Sequence, residues 1–585
     1  MSSSRIKRPG FGLPVNNDAL GGFPQALLGW QGTPITIHER TMMALMDSIT
    51  DKPEWERKIF DESVNQKWRQ EALKSNDIDV SEKMFDWIVA ELQDKAESYR
   101  KDGMVCVHDL DVAVVKSDTA VPTQLLEDLR EACKPLENVS SKLKDWHPGS
   151  DEKVLDLVHP SLFPLIFGRS KVLGTTNVGL MDCTDHIGQG ETIKIPDDYE
   201  IRRMSYSGYY GGTPPKFWSK EFQWLPCQVS FGDHDDVSVI SYINNLHPIH
   251  HPQLYSVIER CIAKAISLWN RCLSPKHLRH REPRIDMGVT KYDFPQGQAP
   301  PSNHMRPDAD TDGSDEGDNE YERHEAWEKA TRVLLHPDPD EYRNWDGPDR
   351  NQIDLRNQFK ESGLQVIVKL ANIQLTPEKP EYGGGSWHIE GQLNERICAS
   401  ALLYYDSENI TESYLAFRQA VNGEELTMKA YDQDDYEGCE IIYGIKQHEP
   451  QLQELGRVST KQGRLITFPN VLQHRVSPFR LQDPSKPGHR KLLALFLVDP
   501  YIPILSTANV PPQQQDWWSE RIQQDQSLVR LPAELSAQIF QEVSEMPISL
   551  KEAKEIRLRL MDERKAYVKD VEYEMQSHTF NFCEH

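Results

Sequence analysis

The sequence predicts an α+β protein in which helical segments flank a β-rich core. Apolar residues between positions 36 and 145 recur at the spacing of one helix face, as in the stretch from Phe85 to Leu92. After residue 361 the pattern changes to short runs of branched and aromatic residues bounded by turns, which is typical of strands. Helical patterns return beyond Pro511.

These patterns divide the chain of 585 residues into four regions. We expect an N-terminal arm and helical segment at 1–80, a mostly helical supporting region at 81–283, the β-rich core at 284–505 and a helical tail at 506–585. Residues 300–325 are dense in Asp, Glu and Gly, so they predict a mobile acidic insertion within the core.

Two of the expected helices have well-marked patterns. Leu254–Leu273 is amphipathic, and the preceding segment His247–His251 is interpreted as a helix-entry turn rather than as a metal site. Ser549 and Glu552 form a capping-box pattern, which predicts the start of a long charged helix that reaches about Tyr573.

Several short segments have the composition of strands. Residues 284–294 are expected to form the first strand of the core. Four later runs, each rich in branched and aromatic residues, continue the sheet: Leu364–Leu370, Ile397–Tyr405, Arg464–Phe468 and Lys491–Val498.

The composition argues against several classes of function. There are 91 acidic and 66 basic residues, and the formal charge of −25 repels phosphate backbones, so we expect no nucleic-acid partner. No run approaches 18 apolar residues, so no membrane span is expected, and no secretory signal is visible. Nine scattered cysteines without a Cys-x-x-Cys pair indicate reduced thiols in a cytoplasmic or nuclear protein.

The strongest functional signal lies in the β-rich core. His388 and Glu390 follow a glycine-rich segment, and His474 comes much later, after a Gly-x-Leu-x-x-Phe-Pro segment. Residues i and i+2 of an extended chain point to the same side, so His388 and Glu390 can bind one ion together. With His474 they form the two-histidine, one-carboxylate set of non-haem Fe(II) oxygenases. A structural zinc site would more often use cysteines and four protein ligands.

The His-x-Asp/Glu triplet alone carries little information, because it occurs four times in the chain. Only the triplet at His388 is followed by a strand, by the segment that leads to His474, and by a Gly-x-Arg that opens an apolar strand at Arg490. The alternative interpretation of His388 and His474 is that both are ordinary core histidines held by hydrogen bonds. The three rival triplets lie in turns or in charged and proline-rich segments: His234/Asp236, His280/Glu282 and His336/Asp338.

This order of motifs resembles that of the 2-oxoglutarate- and Fe(II)-dependent dioxygenases, most of all the prolyl-hydroxylase-like branch. The resemblance covers about residues 364–500. It implies a double-stranded β-helix core, a jelly-roll of the cupin type, with large helical flanks on both sides. Over its whole length the sequence also resembles a fungal family known as domain of unknown function 4246, which implies no particular reaction.

The resemblance assigns a role to each motif residue. His388 and Glu390 match the first metal histidine and the carboxylate, and His474 matches the distal histidine. Arg490 matches the basic residue that pairs with the distal carboxylate of 2-oxoglutarate, a task that suits the forked guanidinium. Tyr404 could add a hydroxyl to the cosubstrate site, but packing in the core is the more common role for such a residue.

Two features depart from the pattern of the dioxygenases. The carboxylate is Glu390, where Asp is commoner, and a long interval before the distal histidine contains an insertion at Ser407–Gln453. This insertion forms either a lid or substrate wall, or a surface loop. Arg475 and Arg480 are rivals for the role of the anchoring arginine, and both are interpreted as surface charges.

The function that the resemblance implies is an oxygenase that uses Fe(II), 2-oxoglutarate and O₂ and releases succinate and CO₂, with hydroxylation as the default outcome. Its substrate, a small molecule or a protein side chain, is not written in the motif. A cupin-type metal oxygenase without 2-oxoglutarate and a catalytically silent interaction protein stay open as alternatives. The large helical flank could build either the substrate pocket or a homodimer interface.

Overall fold

The computed structural model describes most of the chain: residues 5–17, 22–75, 79–197, 217–274, 283–294, 326–343, 352–429, 431, 435–523 and 546–582. The acidic insertion expected at 300–325 and the His280/Glu282 triplet lie outside these residues. Within the described ranges, no helix is both long enough and apolar enough to cross a membrane. The eight cysteines in these ranges are all free thiols.

Helices lie on both sides of the β-rich core. In chain order they are α1 (Ile37–Thr50), α2 (Trp55–Lys58), α3 (Glu62–Leu73), α4 (Glu82–Asp102), α5 (Thr123–Glu137), α6 (Pro252–Leu273), α7 (Leu355–Gln358), α8 (Glu424–Thr427), α9 (Glu437–Tyr443), α10 (Gln515–Gln523) and α11 (Leu550–Ser577). Short 3-10 turns occur at Cys183–His186 and Leu393–Glu395.

The strands are distributed along the whole chain. Before residue 284 they are β1 (Arg8–Pro9), β2 (Gly12–Leu13), β3 (Val105–Val107), β4 (Val114–Ser117), β5 (Val154–Val158), β6 (Leu165–Ile166), β7 (Lys171–Val172), β8 (Glu191–Thr192), β9 (Phe222–Gln223), β10 (Cys227–Phe231) and β11 (Val237–Val239). After it they are β12 (Lys291–Asp293), β13 (Val333–Leu335), β14 (Leu364–Leu375), β15 (Glu381–Tyr382), β16 (Ile397–Glu408), β17 (Tyr414–Ala420), β18 (Leu452–Ser459), β19 (Leu465–Pro469), β20 (Gln473–Val476), β21 (Phe479–Arg480) and β22 (Gly488–Val498).

A large antiparallel sheet forms the centre of this mixed α/β fold. Its strands run in the order β11-β10-β14-β22-β16-β19-β4-β3, and β5 also pairs with β14. Side chains alternate along β14, as expected for a strand buried on both faces. Val366, Val368 and Leu370 pack with residues of α5 and α6, whereas Ile367 belongs to the apolar cluster on the opposite face.

A small sheet covers that opposite face. It consists of β18, β17 and β20, in that order, and all pairs in it are antiparallel. Leu415 and Phe417 of β17 join Leu402, Tyr404 and other residues of the large sheet in one buried cluster. The space between the two sheets is therefore the apolar core into which the predicted site residues project.

Most of the predicted elements are found. The periodicity near Phe85 belongs to α4, the helix expected at Leu254–Leu273 is α6, and the four predicted strand runs are parts of β14, β16, β19 and β22. Ser549 caps α11 by accepting a hydrogen bond from the Glu552 N–H. The Glu552 carboxylate does not complete the capping box but pairs with Arg169 at 2.7 Å.

Two predictions need correction. Of the strand expected at 284–294 only Lys291–Asp293 forms, and it pairs with β13 rather than with the large sheet. The insertion at Ser407–Gln453 does not form a lid or a surface loop over its whole length, because one part of it, Tyr414–Ala420, is a strand of the small sheet. In addition, the supporting region at 81–283 supplies β3, β4, β5, β10 and β11 to the large sheet alongside its helices.

Arg284 explains why the chain there does not form a strand. Its guanidinium is almost fully buried and bonds to Glu91 at 2.6 Å, to Asp109 at 2.9 Å and to Glu39 at 3.2 Å. Lys95 lies 3.0 Å from Glu91 and 2.9 Å from Asp109. The cluster joins α1 and α4 to the segment that follows β3, and thus fixes the N-terminal helices on the core.

Replacing Arg284 with Met should destabilise the protein strongly, because three buried carboxylates would lose their shared cation. Removing one partner of a buried ion pair costs about 3–5 kcal/mol. The measurement is the midpoint of denaturant unfolding by circular dichroism. As a control, Arg57→Ala breaks an exposed pair with Glu54, and should cost less than about 1 kcal/mol. Equal effects of the two changes would contradict the structural role of the cluster.

Candidate functional site

His388 and His474 face each other across a backbone bridge. The His474 N–H donates to the His388 carbonyl at 2.9 Å, and the His388 N–H donates to the His474 carbonyl at 3.2 Å. Directly opposed residues of an antiparallel pair project to the same face. The two imidazole rings accordingly lie 4.3 Å apart between centroids.

The glycine-rich segment before His388 permits this close approach. Gly384 has a φ of +82°, and a Cβ atom there would lie 2.7 Å from the carbonyl oxygen of Val476. The Gly385 N–H donates to the same carbonyl at 3.0 Å. The segment therefore runs directly against β20, which a larger residue at position 384 would prevent.

Glu390 completes the group. Its Oε1 lies 3.8 Å from Nε2 of His388 and 3.4 Å from Nε2 of His474. One ligand atom from each residue lies within 4.8 Å of the other two, and 32% of the His388 side chain is exposed against 3% of the His474 side chain. The group is thus reached from the His388 side.

Asn470 holds the backbone of Glu390 in place. Its Oδ1 accepts the Glu390 N–H at 2.8 Å, and its Nδ2 donates to the carbonyls of Glu390 at 2.9 Å and Ile397 at 3.0 Å. The sequence analysis did not single out Asn470, although it directly follows the Phe-Pro pair before His474. Three bonds from one buried amide compensate for the absence of a regular strand around Glu390.

The rings are oriented by their surroundings. Nδ1 of His388 donates to the Ser386 carbonyl at 2.8 Å, and this bond fixes the ring so that Nε2 faces Glu390. His474 packs against the Phe468 ring at 4.7 Å, and its buried Nδ1 has no hydrogen-bond partner among the described residues. Both Nε2 atoms are therefore available as metal ligands.

The charges in the group are coupled. Burial opposes ionisation of Glu390, but hydrogen bonds and charge from the two histidines outweigh it and hold the pKa of Glu390 well below its usual value. Burial and the nearby His388 lower the pKa of His474. For His388, burial is outweighed by the hydrogen bond and charge of Glu390, so its pKa is raised. A carboxylate beside a neutral imidazole is a suitable pair of ligands for a cation.

Arg490 lies on β22, with its side chain buried. Its Nη1 donates to Oγ of Ser413 at 2.9 Å and to Oγ1 of Thr460 at 3.1 Å, while its buried Nε has no partner among the described residues. Within the same ranges, no carboxylate forms an ion pair with it. Burial lowers its pKa. An arginine with only hydroxyl partners has unused capacity to bind an anion.

Two aromatic rings, those of Tyr404 and Phe479, lie close to this guanidinium. The Arg490 Cζ is 5.3 Å from the Tyr404 ring centroid and 4.3 Å from that of Phe479. The Tyr404 hydroxyl is buried and lacks a partner in the described part of the chain. Tyr404 belongs to the same apolar cluster as Phe468, which packs on His474. The Arg490 guanidinium and the Tyr404 hydroxyl thus lie in the same apolar core that packs against His474.

The rival residues lie elsewhere. Arg475 is exposed beside Glu454 and over the Trp387 ring, and Arg480 is exposed on β21. Of the rival triplets, His234/Asp236 lies in an exposed turn, while Asp338 binds the Ser81 hydroxyl that caps α4. The turn predicted at His247–His251 does lead into α6.

Comparisons with known proteins identify a family. The profile described as "Protein of unknown function (DUF4246)" matches residues 82–521, and the profile "Domain of unknown function DUF4246, N-terminal" matches residues 8–71. The search of curated proteins found no match.

Solved structures give only weak likenesses. IDO from Bacillus thuringiensis is 12% identical with a TM-score of 0.16, over 25% of this chain and 48% of its own. The Fe(II)/(alpha)ketoglutarate-dependent dioxygenase TqaL is 14% identical with a TM-score of 0.15, over 26% and 48%. A bsmA homolog from Methylobium petroleophilum PM1 is 12% identical with a TM-score of 0.15, over 23% and 42%. The chain spans less than half the length of these structures, and TM-scores this low define no fold. By its family profiles, the chain belongs to the DUF4246 family.

Proposed function

We propose that this protein is a non-haem Fe(II) oxygenase that depends on 2-oxoglutarate. Two observations carry the proposal: the His388–Glu390–His474 group, and a buried arginine, Arg490, beside Tyr404 of the same core, that has no carboxylate partner among the described residues. A group of two histidines and one carboxylate leaves coordination positions free for other ligands.

The order of the strands supports a double-stranded β-helix core. The large sheet contains β14, β22, β16 and β19 as neighbours in that order. The small sheet has the order β18-β17-β20, and the segment at His388 continues it by its bridge to His474. Numbered one to eight along the chain, the segments have the order 1-8-3-6 in one sheet and 2-7-4-5 in the other, as in two four-stranded sheets wound together.

The interior suits the groups that the reaction needs. His388, Glu390 and His474 would hold the metal, and Arg490, whose Nε has no partner among the described residues, would bind the distal carboxylate of 2-oxoglutarate. When bound, Fe(II) activates O₂ at the expense of 2-oxoglutarate, which yields succinate and CO₂.

The other residues of the interior would position the ligands and exclude water. Tyr404 could donate its free hydroxyl to the cosubstrate, while Phe468 and Phe417 keep the His474 side of the centre dry. Hydroxylation of a small molecule or a protein side chain is the simplest outcome. The substrate would approach from the side of His388, because that side chain is the exposed one of the two histidines.

Arg490→Met should weaken 2-oxoglutarate binding about ten- to hundred-fold, because it removes a charged hydrogen-bonding partner. The measurement is anaerobic titration of the Fe(II)-loaded chain with 2-oxoglutarate, followed by the visible absorption band of the complex. His388→Ala should abolish the band, and the exposed Arg480→Met serves as the matched control.

The outcomes separate the alternatives. If the protein binds iron but no absorption band appears with 2-oxoglutarate, then 2-oxoglutarate is not the cosubstrate. A metal oxygenase of the cupin type would then be favoured. Failure of the wild type to bind iron at all would overturn the proposed function and leave an interaction protein.

Asn470→Ala should lower the affinity for Fe(II) about ten- to hundred-fold, since it releases the backbone that positions Glu390. Isothermal titration under anaerobic conditions measures the affinity. Asn409→Ala is the control, because the Asn409 amide also donates to three carbonyls but belongs to another loop. Equal affinities in the two variants would show that the Asn470 bonds do not position the ligand.

A further inference from the structure

A second group of two histidines and one carboxylate lies outside the site described above. It consists of His147, Asp156 and His159, whose ligand atoms all lie within 4.8 Å of one another. Nδ1 of His147 is 2.8 Å from Oδ2 of Asp156, and the two imidazole rings are 5.1 Å apart between centroids. Asp156 and His159 are buried, whereas a quarter of the His147 side chain, 25%, is exposed.

Backbone pairing fixes two of the three residues, His147 and Asp156. The His147 N–H donates to the Val154 carbonyl at 2.8 Å, and the Asp156 N–H donates to the Asp145 carbonyl at 2.9 Å. The segment 145–147 therefore lies antiparallel to the start of β5. Asp156 is also in register with Ala371 of β14, so the large sheet holds the carboxylate in place.

The group has unused bonding capacity. Oδ1 of Asp156 is buried and has no hydrogen-bond partner among the described residues. Asp156 and His159 line a cavity of about 200 Å³, together with Gln514. Both amide atoms of Gln514 are buried and equally without partners in the described ranges. Buried polar atoms are rarely left unpaired, so this arrangement suits a polar or charged ligand.

The protonation states suit a cation. Burial lowers the pKa of His159 well below its usual value, so the ring is neutral at pH 7, as a metal ligand must be. Burial opposes ionisation of Asp156, but the neighbouring His159, the hydrogen bond from His147 and the charge of Lys369 outweigh it, so the pKa of Asp156 is lowered. The Ser161 N–H approaches Nδ1 of His159 at 3.2 Å, which leaves Nε2 as the ligand atom.

Neighbouring cations are largely compensated. Arg557 of α11 is 3.7 Å from Oδ2 of Asp156, but its guanidinium makes two bonds, of 2.6 and 3.0 Å, to Asp145. Lys554 lies 3.1 Å from the same Asp145 carboxylate. The Asp156 carboxylate is therefore not committed to either cation.

We propose that His147, Asp156 and His159 bind a second divalent transition-metal ion, for which Zn(II), a metal held elsewhere by two imidazoles, one carboxylate and a water, is the probe. The fourth position faces the cavity and is filled by water, which Gln514 can bind. The site is made of residues that the proposed oxygenase chemistry does not use, so it stands whether or not that function holds.

The test is the Zn(II) content of the full-length chain after chelation, reloading and desalting. The wild type is expected to hold two equivalents. His388→Ala, Asp156→Asn and His147→Gln should each hold one, and His388→Ala combined with His147→Gln should hold none. Because Asp156 is buried, the partly exposed His147 provides the variant that keeps the fold, and circular dichroism checks it.

Two controls identify the origin of the second ion. Asp516→Asn changes a carboxylate that lines the same cavity outside the group, and His250→Ala breaks a third group formed with His247 and Glu520. Both should retain two equivalents. The proposal is overturned if the second equivalent of Zn(II) persists in His147→Gln and Asp156→Asn, or if that equivalent is lost in His250→Ala. It is also overturned if the wild type holds a single equivalent that His388→Ala removes. A single equivalent lost only in His147→Gln would support this site and contradict the proposed iron centre.

Discussion

The pair of backbone hydrogen bonds between His388 and His474 is the constraint on which the candidate site depends. It forces both imidazoles to one face and leaves Glu390, two residues on, within reach of both. The bridge exists only because β20 is itself held by β17, where Phe417 is in register with His474. A strand that carries no ligand thus determines the ligand geometry.

The core between the sheets combines tight apolar packing with polar atoms that lack partners. Each unpaired buried polar group costs about 1–3 kcal/mol of stability. Such a cost is typical of sites that are completed by a ligand. Among the described residues these atoms come from both sheets: Arg490 Nε, Tyr404 Oη, Ser400 Oγ and His474 Nδ1. The surrounding packing of large residues such as Phe468 and Phe496 is what compensates for them.

Local rules account for the parts that the sequence could predict. His388 and Glu390 are two residues apart, and the long strands are rich in branched residues, so both follow from neighbours in sequence, whereas His474 followed from the order of motifs. Strand β17 was missed because its partners, β18 and β20, come later in the chain and acidic residues surround it. The strand expected from residue 284 does not form there, because Arg284 makes ion pairs with carboxylates on α1 and α4. Asn470 could not be predicted, because its amide bonds to the backbone of Glu390 and such bonds leave no pattern in the sequence.

The position of β22 has a consequence for how the chain acquires its fold. This strand lies in the middle of the large sheet, between β14 and β16, yet it is made after both. Until residue 498 has been synthesised, the facing edges of β14 and β16 have no partner, and long-range pairing of this kind is slow. Nascent chains therefore expose two strand edges until β22 is complete, and unpaired strand edges favour aggregation.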